Sequence, residues 1–205
     1  MRQPQPLVQS DYPTTQDRAN ALLGCLKDST TLDYIGEPIS QLEHALQAAA
    51  CGVKSGSPIE VVLGALFHDI GHLIAPDAPT MEGLGVVNHE GIGADLLLEF
   101  GCSQKVASLV RNHVEAKRYL CFKKSRYLAK LSEASLGTLT WQGGPMTPQE
   151  AAEFEAHPHF NDILTVRAWD EQAKDPDATV PSLDYYQPLL VEHLSHSLSS
   201  GAHHV

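Results

Sequence analysis

Apolar positions in this chain recur mostly three and four residues apart, the helical spacing. Residues 17–28 place Ala19, Leu22, Leu23 and Leu26 on one face. After Pro38, a good first helical residue, Leu42, Ala45, Leu46, Ala49 and Val53 keep the same period. The stretch Ile59-Glu60-Val61-Val62-Leu63-Gly64-Ala65-Leu66 is almost wholly apolar. A helix apolar on most sides is a buried helix, so this one is expected at the centre. Ser57, Pro58 and Glu60 before it make a capping-box pattern with proline at the first helical position.

Further along, His89 opens a helix over 90–100 that Gly101 stops, and Ser103 caps another over 104 to about 120. Helices are also expected over 125–139, 160–174 and 182–198, the last bent near Pro188. Trp141 to Met146 reads as a turn, and Thr147-Pro148-Gln149-Glu150 repeats the capping box. Residues 74–87 hold several prolines and glycines and no helical period, a loop long enough to be functional. No segment reads as a strand and no repeat is present. The expected class is all-α. Residues 1–16, rich in Pro and Gln, read as an N-terminal arm, 17–198 as one domain and 199–205 as a C-terminal tail.

Composition narrows the function classes. Hydrophobic residues make up 42% of the 205, enough for a core. A formal net charge of -11 argues against a nucleic-acid partner. Basic residues nevertheless cluster at Arg111, Lys117, Arg118, Lys123, Lys124, Arg126 and Lys130. Such a patch suits a small anion, although a solvated helix face accounts for it equally. Cys25, Cys51, Cys102 and Cys121 show no CxxC spacing and read as reduced thiols of a cytoplasmic protein. Neither a signal-peptide core nor an apolar run of ~18 residues is found, so no membrane partner is expected.

The central apolar run ends in Phe67-His68-Asp69-Ile70-Gly71-His72. Burying a histidine and an aspartate together is costly without compensation. A metal cation compensates directly, since imidazole and carboxylate are ligands for iron, manganese or zinc. A hydrogen-bonded core histidine beside a helix-end aspartate is the plainer alternative. His44, His89, His113 and Asp170 also sit among apolar helical neighbours. Six such positions spread over five helices match how helical bundles assemble metal sites from inward-facing side chains.

The ordered pattern His44, His68-Asp69, His89, His113, Asp170 resembles the HD-domain superfamily in its two-metal form. Tyr34-Ile35-Gly36-Glu37, Gln41-Leu42-Glu43-His44, His113-Val114-Glu115-Ala116-Lys117-Arg118-Tyr119-Leu120, Gln142-Gly143-Gly144-Pro145-Met146 and Arg167-Ala168-Trp169-Asp170-Glu171 are similar to the PhnZ-type organophosphonate oxygenases. The similarity runs over residues 32–194. It implies an HD-domain helical bundle holding two iron ions in a mixed-valent Fe(II)/Fe(III) pair. His44, His68, Asp69 and Asp170 would bind one iron, and Asp69, His89 and His113 the other, with Asp69 bridging.

The implied reaction is oxygen-dependent cleavage of the C–P bond of 2-amino-1-hydroxyethylphosphonate, giving phosphate and glycine. The N-trimethylated substrate, giving glycine betaine, stays open at this point. By the resemblance His72, Lys117, Ser135 and Thr138 bind the phosphonate. Tyr34 and Glu37 serve catalysis and the amine end: the tyrosine occupies an iron position before substrate arrives, and the glutamate senses the ammonium. Residues 81–88 depart most from the family pattern and are placed to line a pocket.

Three other readings compete. A two-metal HD phosphohydrolase would need neither Tyr34 nor the Lys117-Arg118-Tyr119-Leu120 segment. A binding-only HD module need not keep six ligands. An inositol-oxygenase-like ring cleavage fits the compact chain and the phosphonate residues less well.

Overall fold

The computed structural model describes residues 7–34, 36–75 and 77–201, without the side chains of 198–201. Parts of the expected arm (1–6) and tail (202–205), and Ile35 of the Tyr34 motif, lie outside those residues. The helices are α1 (Thr15–Asp28), α2 (Gln41–Lys54), α3 (Ile59–Phe67), α4 (Gly71–Ile74), α5 (His89–Glu99) and α6 (Gln104–Lys123). They continue with α7 (Ser125–Leu128), α8 (Glu133–Trp141), α9 (Pro148–Glu155), α10 (Phe160–Gln172) and α11 (Leu183–Gly201). Among the described residues β pairing is limited to isolated bridges at Asp33–Ser40 and Thr80–Val86. The fold is all-α, as the periodicity predicts.

Helix α3 is the axle: every residue from Val61 to Phe67 is buried. It packs against α2, α6, α10 and α11. Val62, Leu63, Leu66 and Phe67 join a core with Leu22 and Leu26 of α1, Phe100, and Tyr186 and Leu190 of α11. Val61 and Ala65 join a second core with Leu109 of α6 and Ile163, Val166 and Trp169 of α10. Each large side chain so enclosed contributes about 1.5–3 kcal/mol. One short helix therefore fixes the positions of its neighbours, and its C-terminal end leads into His68 and Asp69.

Local signals explain most boundaries. Reciprocal capping boxes start α1 (Thr14 with Asp17), α2 (Ser40 with Glu43) and α9 (Thr147 with Glu150). Three expectations are corrected. Pro38 lies in the loop, not in α2, because Ser40 makes the cap; the loop folds back through Tyr34 N–H to Ile39 O (2.8 Å) and Gln41 N–H to Leu32 O (2.8 Å). The Ser57–Glu60 box does not form. Pro58 stands at the N-cap of α3, and the Glu60 carboxylate instead accepts from the Ser103 hydroxyl. The segment 125–139 is two helices, because Ser132 is extended and caps α8 through its side chain. At the other end of the chain, Leu7 and Tyr12 pack against the first core.

Candidate metal centre and substrate cleft

Four helices converge on the end of α3. His44 comes from α2, His68 caps α3, Asp69 follows it, His89 is the first residue of α5, His113 lies on α6 and Asp170 on α10. All four imidazoles are buried. His44 Nδ1 donates to Ala173 O (2.8 Å), His68 Nδ1 to Ala65 O (2.8 Å) and His113 Nδ1 to Val110 O (2.7 Å). Those bonds place the protons on Nδ1 and leave each Nε2 bare.

The Nε2 atoms face one another, three of them bare. His44 Nε2 is 3.0 Å from His68 Nε2, and His89 Nε2 is 3.2 Å from His113 Nε2. In the His44–His68 pair, two lone pairs at that distance repel unless a cation sits between them. Asp69 joins the two pairs. Its Oδ2 lies 3.4 Å from His68 Nε2 and 3.8 Å from His44 Nε2, and its Oδ1 lies 3.3 Å from His89 Nε2 and 3.5 Å from His113 Nε2. Asp170 Oδ1 completes the first group, 3.4 Å from His44 Nε2. The donor set fits two metal ions sharing one carboxylate, and the expected six residues are those brought together. His89 Nδ1 has no hydrogen-bond partner but stands 3.3 Å from Glu90 Oε2, a carboxylate behind the imidazole of the kind that backs metal-binding histidines.

The charges are set by this crowding. Burial pushes the His68 imidazole down to about 4. Burial pushes the Asp69 carboxyl up, but His68, His113 and His89 outweigh it and hold the group well below the carboxylate range. For Asp170 burial is likewise outweighed, chiefly by Arg167. The buried Arg167 guanidinium bonds Asp170 Oδ2 and Glu171 Oε1, and its Nε donates to Tyr127 Oη (2.9 Å). Sequence reasoning gave Arg167 no role; the available signal was its position one helical turn before Asp170.

Beside the metal groups lies a small cleft with about 70 Å³ accessible to water. A water needs ~10–15 Å³ on that measure, so the cleft takes a molecule of a few non-hydrogen atoms. Tyr34, Glu37, His72, Lys117, Ser135 and Thr138, the expected substrate residues, all line it. Lys117 Nζ donates to Thr138 Oγ1 (2.8 Å), whose own proton goes to Ser135 O (3.1 Å). Burial first, and then Arg167, push the Lys117 ammonium down to about 8. His72 stacks on His89 (3.9 Å between centroids) and accepts Val86 N–H at Nδ1 (3.0 Å). Burial and His89 hold His72 at about 3, so its Nε2 carries the proton and is a neutral donor.

The loop before α5 covers this part through Met81 and Leu84, as its position in the sequence suggests. The broader basic patch does not gather here. Lys117 alone of its seven members lines the cleft, while Arg111 pairs with Asp95, Arg118 with Glu115 and Glu150, and Lys123 with Glu155.

Beside the first donor group Tyr34 stacks flat on His44 (3.8 Å, 12°), and its hydroxyl reaches Asp170 Oδ1 at 3.4 Å. Burial raises that phenol well above its ordinary value. Glu37 Oε1 is 2.8 Å from Lys174 Nζ, a partner that sequence reasoning did not find. Gln41 and Gln142 also line the cleft without having been expected there. Each stands in a motif dominated by other residues, Gln41 three before His44 and Gln142 before the Gly143-Gly144 turn.

Comparison with known proteins agrees with this geometry. The HD domain model matches residues 41–151, more than half the chain. An uncharacterized protein of Acanthamoeba polyphaga mimivirus is 41% identical over 183 residues, covering 88% of this chain and 84% of that protein. The [1-hydroxy-2-(trimethylamino)ethyl]phosphonate dioxygenase (glycine-betaine-forming) of Leisingera caerulea is 42% identical over 159 residues, covering 77% and 81%. The hydroxymethylphosphonate dioxygenase of Gimesia maris is 36% identical over 186 residues, covering 90% and 92%. Matched over 77–90% of its length by these relatives, and carrying the paired histidines around a shared aspartate, the chain belongs to the HD-domain family, in the branch that contains the phosphonate dioxygenases.

Proposed function

We propose that the protein is a di-iron oxygenase that cleaves the C–P bond of a small 1-hydroxyphosphonate, with 2-amino-1-hydroxyethylphosphonate giving phosphate and glycine. The observation that carries the reading is the placement of a buried cation and a neutral donor, Lys117 and His72, in the same small cleft as the two donor groups joined by Asp69. A phosphohydrolase would share the metal groups. The names of two relatives favour the oxygenase.

In this reading His44, His68, Asp69 and Asp170 hold one ion and Asp69, His89 and His113 the other. An all-nitrogen and oxygen donor set suits iron. Bound as an Fe(II)/Fe(III) pair, the irons supply the electron transfer that dioxygen chemistry requires. The chain supplies orientation. Lys117 pairs with the phosphonate as a compact charge, Thr138 fixes the direction of that ammonium, and His72 Nε2–H and Ser135 lend hydrogen bonds without adding charge. Tyr34 screens the first metal group from the cleft until substrate takes its place. Glu37 faces the end of the substrate away from phosphorus. The stoichiometry closes: substrate plus O2 equals glycine plus phosphate, with one oxygen atom added to carbon and one to phosphorus.

The test is anaerobic loading with iron, Mössbauer spectroscopy, and phosphate release from 1-hydroxyphosphonates with and without oxygen. Two irons per chain and strictly oxygen-dependent release are expected. Hydrolysis of phosphomonoesters or nucleotides at comparable rates under argon would establish the phosphohydrolase instead.

A further inference from the structure

We infer that Lys174 is a specificity-determining residue that closes the amine end of the cleft to a quaternary ammonium while leaving it open to a primary one. The inference rests on the phosphonate-oxygenase reading and narrows the substrate class that this site takes.

A trimethylammonium group has no N–H to donate. It is held by net negative charge and by the face of an aromatic ring. Both supports are already engaged here. Tyr34 is the only phenol, phenyl or indole ring among the described residues lining the cleft, and its ring carries the His44 imidazole stacked at 3.8 Å. The Lys174 ammonium lies over that same ring, 6.0 Å from its centroid. Glu37, the carboxylate at this end, is neutralised by Lys174 at 2.8 Å. The pair is largely enclosed, with side chains 20% and 16% exposed, so solvent screens it only in part. A quaternary ammonium brought to this end meets a like charge, a covered ring and a carboxylate with no net charge to offer.

A primary ammonium differs in one respect that matters. Its three N–H groups can bond Glu37 Oε2, which takes no hydrogen bond among the described residues, while Lys174 keeps Oε1. One carboxylate then serves two ammonium donors, an arrangement open only to a group that donates. Discrimination comes from a repulsive element as much as from an attractive one.

The experiment uses the iron-loaded full chain and four 2-amino-1-hydroxyethylphosphonates bearing zero to three N-methyl groups. Phosphate release under oxygen gives kcat/KM, and binding without oxygen gives Kd. Both are expected to hold within a few-fold through the second methyl and to worsen at least tenfold at the third, where the last N–H is lost. Lys174→Met, similar in length but uncharged, is expected to raise kcat/KM for the trimethylated substrate and shrink the gap at least tenfold. Lys174→Arg should keep it. Wild-type protein that uses the trimethylated and primary substrates equally overturns the inference. So does a Lys174→Met variant that loses activity on both in parallel, the mark of a merely structural role. Failure of the wild type to bind or cleave any of the four removes the phosphonate reading itself, and this inference with it.

Discussion

Gly71 passes against the backbone of His89 with no room for a side chain: a Cβ at position 71 would lie 1.9 Å from the His89 carbonyl oxygen. That contact ties the start of α4, two residues after Asp69, to the first residue of α5. It therefore sets how near His89 Nε2 comes to Asp69 Oδ1, 3.3 Å here. A backbone atom cannot yield as a flexible side chain can, so Gly71→Ala must push α5 away. Overpacking of this kind costs about 1–3 kcal/mol. The expected result is a lowered unfolding midpoint together with a fall from two irons per chain toward one. A variant that keeps both irons and its full stability would show that α5 tolerates the displacement.

Asp69 and His89 should fail differently. Asp69 offers one oxygen to each group of ligands, whereas His89 belongs to one group only. Asp69→Ala should leave a chain that retains neither ion after desalting, and His89→Ala one that retains about a single ion. Metal analysis of anaerobically loaded protein reads the difference directly. Equal losses in the two variants would remove Asp69 from the bridging position.

How much of this was legible in the residues depended on the range of the interaction. The buried helix α3 and the box at Thr147 are local signals, readable as period and cap; the box at Ser40 is equally local, but Pro38 two residues earlier reads as the start of α2 and hides it. The Ser57 box failed for a tertiary reason, since Glu60 found a partner in Ser103, 43 residues away. His44, His68, Asp69, His89, His113 and Asp170 were legible because histidine and aspartate are conspicuous in apolar helices. Arg167 and Lys174 were not, because a cation on a helix normally reads as a solvated face. Only the fold shows that Arg167 is buried on Asp170 and that Lys174 reaches Glu37, 137 residues away.

Arg167 gives a stability prediction. It is the nearest positive charge to Asp170, and both are buried. Removing one partner of a buried ion pair leaves an uncompensated charge, at a cost of about 3–5 kcal/mol. Arg167→Met should therefore destabilise the metal-free protein by that order in urea unfolding near neutral pH. Asp170 is held below its ordinary value in the fold. The pair's contribution is thus complete above the unfolded carboxylate range and lost as pH falls through the folded value. The gap between wild type and variant should accordingly narrow on acidification. A loss under 1 kcal/mol at pH 7 would mean that Asp170 is compensated elsewhere.

Lys117 links the site to pH from the alkaline side. Burial, with Arg167 beside it, brings its ammonium down to about 8, and the charged form is the one that pairs with a phosphonate. In the free enzyme that form dwindles as pH rises through 8, so kcat/KM should fall on the alkaline side, by roughly tenfold between pH 8 and 9.5. The size matches a charge-assisted contact of about 1.5–3 kcal/mol, which is also the loss expected for Lys117→Ala on every phosphonate tested. Stability moves the other way. The unfolded chain keeps its lysine protonated up to its ordinary value of 10.5, so between about 8 and 10.5 the unfolded state binds more protons. Lys117's contribution to folding stability therefore rises with pH over that window. Lys117→Arg separates the two effects, since guanidinium stays charged throughout. The alkaline limb of kcat/KM should flatten in that variant while activity at pH 7 falls, because a planar fork replaces the point charge that Thr138 orients. An alkaline limb unchanged in Lys117→Arg would assign it to another group and take Lys117 out of the phosphonate site.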